Sequence, residues 1–267
     1  MSRVSDGKMT SAIIDNPYQH CKEELGENAS TDDLLQCVSE ILTVNAEVPL
    51  QYSRTVLLVY AAALVFFMQA GFAMVCAGAV RKKNVQNTML KNLLDACGAS
   101  VAFFTIGYAF AYGGSDPNST KKTFIGTENF FLLDEENYAF FLFQYAFSAA
   151  SATIVAGTLA ERCQMAAYLC YSVMLTGWVY PVIVHSIWSP NGFLSAYAKE
   201  PLWGVGMIDF AGSGVVHVTG GVTALFATII LGPRRGRFHD ETGRKLKTPR
   251  EFPGHSMALQ VSEERPR

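Results

Sequence analysis

The sequence predicts an all-α fold, a polytopic membrane helix bundle with five transmembrane helices, and three observations carry that expectation. Half of the 267 residues are hydrophobic and only 16% are charged, with a mean hydropathy of +0.19, which is unusually apolar for a soluble domain. Charge is also unevenly placed, because long uncharged intervals follow Arg54, Asp95, Asn137, Arg162 and Asp209. Each is as long as the roughly 20 helical residues that cross a hydrocarbon core. The intervals are continuous apolar runs, whereas the strands of an outer-membrane barrel alternate in short segments.

Residues 1–53 open with polar side chains and lack the apolar stretch of a cleaved signal, so they are expected to form a retained polar extension. Its acidic residues outnumber Arg3, Lys8 and Lys22, and Leu34 to Val44 has the composition of a short helix. Residues 54–233 are expected to form one transmembrane domain. Its first span, 55–80, carries Gln69, Gly71 and Gly78, residues that let helices approach closely and bond across an interface. The second runs over 94–114. The third, 137–160, places Phe143 and Phe147 on one helical face, followed by the small-residue strip Ser148-Ala-Ala-Ser-Ala-Thr153. The fourth, 165–189, contains Pro181, which kinks a helix or frees a carbonyl. Trp178, Tyr180 and Trp188 in this span suit a headgroup belt, and Trp188 also suits a cation-π platform. The fifth, 206–232, holds Asp209 near one end and His217 about 12 Å further along at helical rise. Asp209 fits an N-cap. An ionisable His217 at that depth marks a pathway for an ion, a proton or a ligand.

Basic residues set the orientation. Arg81, Lys82 and Lys83 follow the first span, Arg162 the third, and Arg234, Arg235, Arg237, Arg244, Lys245 and Lys247 the fifth. The N-terminus is therefore expected outside and the basic stretch 234–267 in the cytoplasm. Both glycosylation sequons, at Asn28 and Asn118, fall in segments assigned outside. Cys21 and Cys37 share the outside extension, where a disulfide within or between chains can form. Cys76, Cys97, Cys163 and Cys170 lie in or beside spans, where cysteine behaves as a small apolar residue. Other chemistries fit poorly. Ser213 lacks the elbow of a serine hydrolase, and no second His accompanies His217 for a metal. No phosphate loop is present, the basic stretch is explained by topology, and neither a cofactor nor nucleic acid is expected.

The run Asp209-Phe-Ala-Gly-Ser-x-x-Val216-x-x-x-Gly220-Gly221-x-x-Ala224 resembles the signature of the ammonium transporter (Amt) family, most closely its plant and algal branch. Gln69-x-Gly-Phe-Ala-Met with Ala77-Gly-x-Val-Arg-x-Lys-Asn84, Ala160-Glu-Arg162 and Tyr180-Pro-Val…His185…Trp188 reinforce it. The resemblance spans Leu57 to Val261. It implies ammonium or ammonia passage rather than enzymatic chemistry. His217 would be the first of a pair of pore histidines and Asp209 a carboxylate below an outer recruitment site. Trp188 would line that site, with Phe143 and Phe147 at the external site and gate. It also implies an eleven-helix fold of two inverted five-helix repeats, with contacts to lipid, residence in the plasma membrane, and a homotrimer or a mixed trimer with full-length subunits. On that pattern the chain carries one repeat, with Gly254 to Val261 opening a sixth helix before Ser262-Glu-Glu-Arg-Pro-Arg267. It is expected to be a truncated product, acting in transport or as a non-transporting subunit that modulates full-length transporters.

Overall fold

The structure is a computed structural model that describes residues 13–26, 29–239 and 242–247. Asn28 and the segment 254–261 lie outside the described residues. Among those described, the secondary structure is helical, with isolated bridges such as Thr123 to Gly192 but no strand. The chain divides into two compact units, 1–60 and 61–267.

In the first unit, α1 (Pro17–Leu25) starts where Asn16 accepts from the Gln19 amide and Pro17 supplies a preformed φ. Helix α2 (Thr31–Gly78) opens in this unit, with Ser30 Oγ accepting from the Asp33 amide and donating to the Asp33 carboxylate, a side-chain N-cap that satisfies one amide of the first turn. A disulfide joins Cys21 to Cys37 with Cα atoms 5.9 Å apart. Asn45 clasps both backbone groups of Ile14. The extension therefore differs from the short helix expected at 34–44. The helix of the first span begins at Thr31 rather than 55, because the Ser30 cap starts it and Pro49 does not stop it.

The second unit packs α3 (Lys82–Tyr112), α4 (Tyr138–Leu159), α5 (Met165–Trp188) and α6 (Ser213–Leu231) with the end of α2, and each of these helices is long and apolar enough to cross a membrane. Helix α3 begins well before the expected 94, which places Lys91 inside it and Asp95 away from its end. Helix α6 begins later than the expected 206, because Ala211 and Gly212 take positive φ of 56° and 78° and turn the chain first. Helices α3 and α5 each contain a π turn, at 103–107 and 175–179. The second lies just before Pro181, which cannot donate to the preceding turn.

Helix α4 is central. Its most apolar stretch is buried over more than half its length, twice the share of α6, because Ser148 to Thr153 is a wholly buried strip of small residues. Across it, α6 approaches so closely that a Cβ on Gly220 would sit 2.9 Å from Ile154 Cβ and 3.0 Å from the Ser151 carbonyl. A Cβ on Gly221 would meet nothing. Gly220→Val is therefore expected to destabilise the purified chain by about 2 kcal/mol through overpacking, read by unfolding in detergent. Gly221→Val should leave unfolding unchanged. Equal effects would show that α4 and α6 do not meet through Gly220.

Candidate functional site

Where α3 and α5 end and α4 and α6 begin, aromatic rings and a carboxylate are assembled in series. The turn at Ala211 and Gly212 folds Asp209 back over the first turn of α6, where orphan amides gather. Its Oδ1 accepts from the Gly214 amide at 2.6 Å and from Ser213 Oγ at 3.0 Å. Its Oδ2 accepts from Trp188 Nε1 at 3.0 Å. Asp209 thus caps α6 from four residues before the helix and also fixes the indole at the end of α5. All three donors converge on this one carboxylate.

Trp188 in turn stands edge-on to Phe147 at 5.6 Å between centroids, and Phe147 stands edge-on to Phe143 at 4.9 Å. The spacing of four residues read from the sequence is what stacks the two phenylalanines on α4. All four side chains line a cavity of about 840 Å³, together with Tyr112 and Gln144. Tyr112 Oη and Gln144 Oε1 are buried without a protein partner. The site therefore offers ring faces and unpaired oxygens beside a negatively charged support, a combination that favours a small cation able to donate hydrogen bonds.

His217 is not part of this cavity. It lies in the π turn that opens α6, 213–218, on an exposed side of the helix shared with Val218, Val222 and Phe226. Val215 and Val216 occupy the packed side. The 12 Å separation from Asp209 does not apply, since residues 209–212 are not helical. The histidine faces out of the five-helix unit. Asn118, the sequon within the described residues, is exposed in the loop after α3.

Two further polar groups carry structural weight that their sequence context does not announce. His185 is buried, with Nδ1 2.9 Å from the Ala111 carbonyl and Nε2 2.8 Å from Thr123 Oγ1. The carbonyl can only accept, so Nδ1 carries a proton, and Nε2 shares a hydrogen bond with the hydroxyl. This imidazole pins the loop after α3 to α5. At the opposite end of the bundle, the Glu161 side chain is 1% exposed. It accepts from Arg81 Nε at 2.9 Å, from Asn84 Nδ2, and from Arg234 Nη1 at 3.3 Å. Burial alone would raise the Glu161 carboxyl, but the Arg81 and Asn84 donors outweigh it and hold it below the ordinary carboxylate range. A signal for this cluster is present in the chain, because Glu161 is half of a motif flanked by basic span ends, yet sequence does not show which of them it meets.

The chain is similar to known proteins in both sequence and structure. The ammonium transporter family model matches residues 56–261. The chain is 48% identical over 212 residues to ammonium transporter 1 member 3 of Solanum lycopersicum, covering 78% of this chain and 44% of that protein. It is 41% identical to ammonium transporter 3 of Dictyostelium discoideum, with the same shares covered. Among solved structures, a sensor Amt protein superposes with a TM-score of 0.62 at 31% identity, covering 78% of this chain and 50% of that one. Candida albicans Mep2 does so at 0.59 and 29%, covering 78% and 44%. The chain spans less than half the length of these two curated relatives.

Proposed function

The chain belongs to the ammonium transporter family, and we propose that its five helices form an entry vestibule and one wall of an ammonium-conducting pore. The observation that supports this reading is the series Phe143, Phe147, Trp188 and Asp209 around one cavity. Passage of a dry cation through the bilayer centre is costly. The vestibule would capture ammonium against the Trp188 and Phe147 rings and strip part of its hydration. Ammonia would then move along an apolar path while the proton is handed to an imidazole, which exchanges protons near neutral pH. His217 is the group for that step. Because it lies on an exposed side of α6, a second helical wall must close over it.

The same exposure favours a second role, association of this chain with full-length transporters to form a mixed trimer whose transport it modulates. Residence in the plasma membrane, with the N-terminus and Asn118 outside and the basic stretch after Gly232 in the cytoplasm, completes the reading.

Uptake by cells lacking their own ammonium transporters tests it. A chimera joining these five helices to the second half of the tomato relative should restore growth on low ammonium. His217→Ala in that chimera should reduce uptake at least tenfold, and the chain alone should give none. A folded, surface-expressed chimera that fails to transport would sink the proposal. Uptake by the chain alone that is lost on His217→Ala would remove the need for a second wall.

A further inference from the structure

A second polar site lies inside the bundle, away from the vestibule. Asp95 on α3 and Ser172 on α5 are both 0% exposed, and Asn92 is 3% exposed. Tyr168 Oη donates to Asp95 Oδ2, leaving Asp95 Oδ1 with no partner. Ser172 Oγ and Asn92 Oδ1 are equally unpartnered and buried. The Ser172 hydroxyl lies beside the Asp95 carboxyl, and the Cys76 thiol lies beside Asn92 and Asp95. Ser172 packs against α3 next to Gly98, where a Cβ would come within 3.6 Å of its oxygen. Unsatisfied oxygens in a membrane-buried cluster are costly, and each of these three is an acceptor or can act as one. Few natural structures leave such groups unmet.

The cluster also has an approach. Lys91 donates from Nζ to the Cys163 carbonyl at 2.9 Å and sits 5.1 Å above the Tyr168 ring. Asn92 donates to the carbonyl of Thr88. Lys91, Thr88 and Cys163 all line a cavity of about 720 Å³ at the Glu161 end of the bundle. The floor of that cavity is thus one helical turn from Asp95, and Lys91 covers the way in.

We propose that Asp95, Asn92 and Ser172 form an internal binding site for a small hydrogen-bond donor, water or ammonium itself, loaded from the Glu161 end. An acceptor-rich site needs a donor of this size, and either ligand can bond two or more of the three oxygens. This site stands independently of the vestibule reading, since it rests on different residues at the other end of the bundle.

Hydroxyl-radical labelling of the whole chain in detergent tests it, because bound water generates radicals where it sits. Tyr168 should be oxidised at least tenfold faster than Phe103, which is equally buried but among apolar side chains. Ser172→Val should bring Tyr168 down towards Phe103. If labelling is unchanged between ammonium chloride and potassium chloride, the ligand is water. If ammonium chloride alone suppresses it, the ion displaces water there. Tyr168 labelling as slow as Phe103 in both salts would overturn the site, and so would fast labelling that Ser172→Val leaves unaltered in a folded chain. None of these readouts depends on whether the chain transports.

Discussion

Asp209→Ala is expected to destabilise the chain by about 3 kcal/mol and to release the Trp188 indole. The substitution removes the acceptor of the Gly214 amide, of Ser213 Oγ and of Trp188 Nε1 together. A partly buried donor left without its acceptor costs about 1–3 kcal/mol, and the exposed Ser213 hydroxyl recovers most of its share from solvent. Asp209→Asn keeps one oxygen, so it can satisfy the indole or the Gly214 amide but not both, and should fall between wild type and alanine. Unfolding in detergent reads the stability. Acrylamide quenching reads the indole, in a background where Trp178→Phe and Trp203→Phe leave Trp188 as the sole tryptophan. In the uptake chimera, Asp209→Ala should lower transport at least tenfold, because the Trp188 and Phe147 rings lose their fixed crossing. Unchanged stability and unchanged quenching would show that the carboxylate supports neither α6 nor the ring.

The contrast between what the sequence discloses and what it hides follows from periodicity. Apolar runs announce membrane helices because the bilayer imposes their length, so the helical fold and the five spans are readable. Helix ends are less so. The start of α6 depends on two positive-φ residues, Ala211 and Gly212, one of them an alanine that composition gives no reason to suspect. The pairing of Phe143 with Phe147 is legible because it is local. Trp188 meeting Asp209 is not, since 21 positions separate them and a loop decides the encounter. Asp95 reads as the edge of a span and proves to be interior, because α3 starts at Lys82 and carries its charges inward against Tyr168.

Glu161→Ala is expected to be among the most destabilising single changes outside the vestibule, about 2–3 kcal/mol, since three donors lose a buried charged acceptor while Arg81 and Arg234, both partly exposed, recover part of their solvation. Arg81 at the end of the first span, Asn84 in the first turn of α3 and Arg234 after α6 all donate to this one carboxylate. Arg234 also caps the Ala79 carbonyl, so two chain segments lose their tie to α4 at once. The pH dependence has a definite sign. The folded carboxyl titrates below its ordinary value, about 4.3 for a free glutamate, so its stabilisation is complete at neutral pH. That contribution is lost as pH falls from the ordinary value through the depressed folded one. Wild-type unfolding in detergent should thus be insensitive to this group around neutral pH and weaken in acid. Glu161→Gln preserves the shape and one acceptor for Arg81 or Asn84, yet has no proton to take up. It should lose less stability than alanine at neutral pH and lack the acid limb, so that wild type and Gln converge as pH drops. If the two variants lose equal stability and keep the same acid profile as wild type, the cluster is held by packing and the charge of Glu161 plays no part in joining the helix ends.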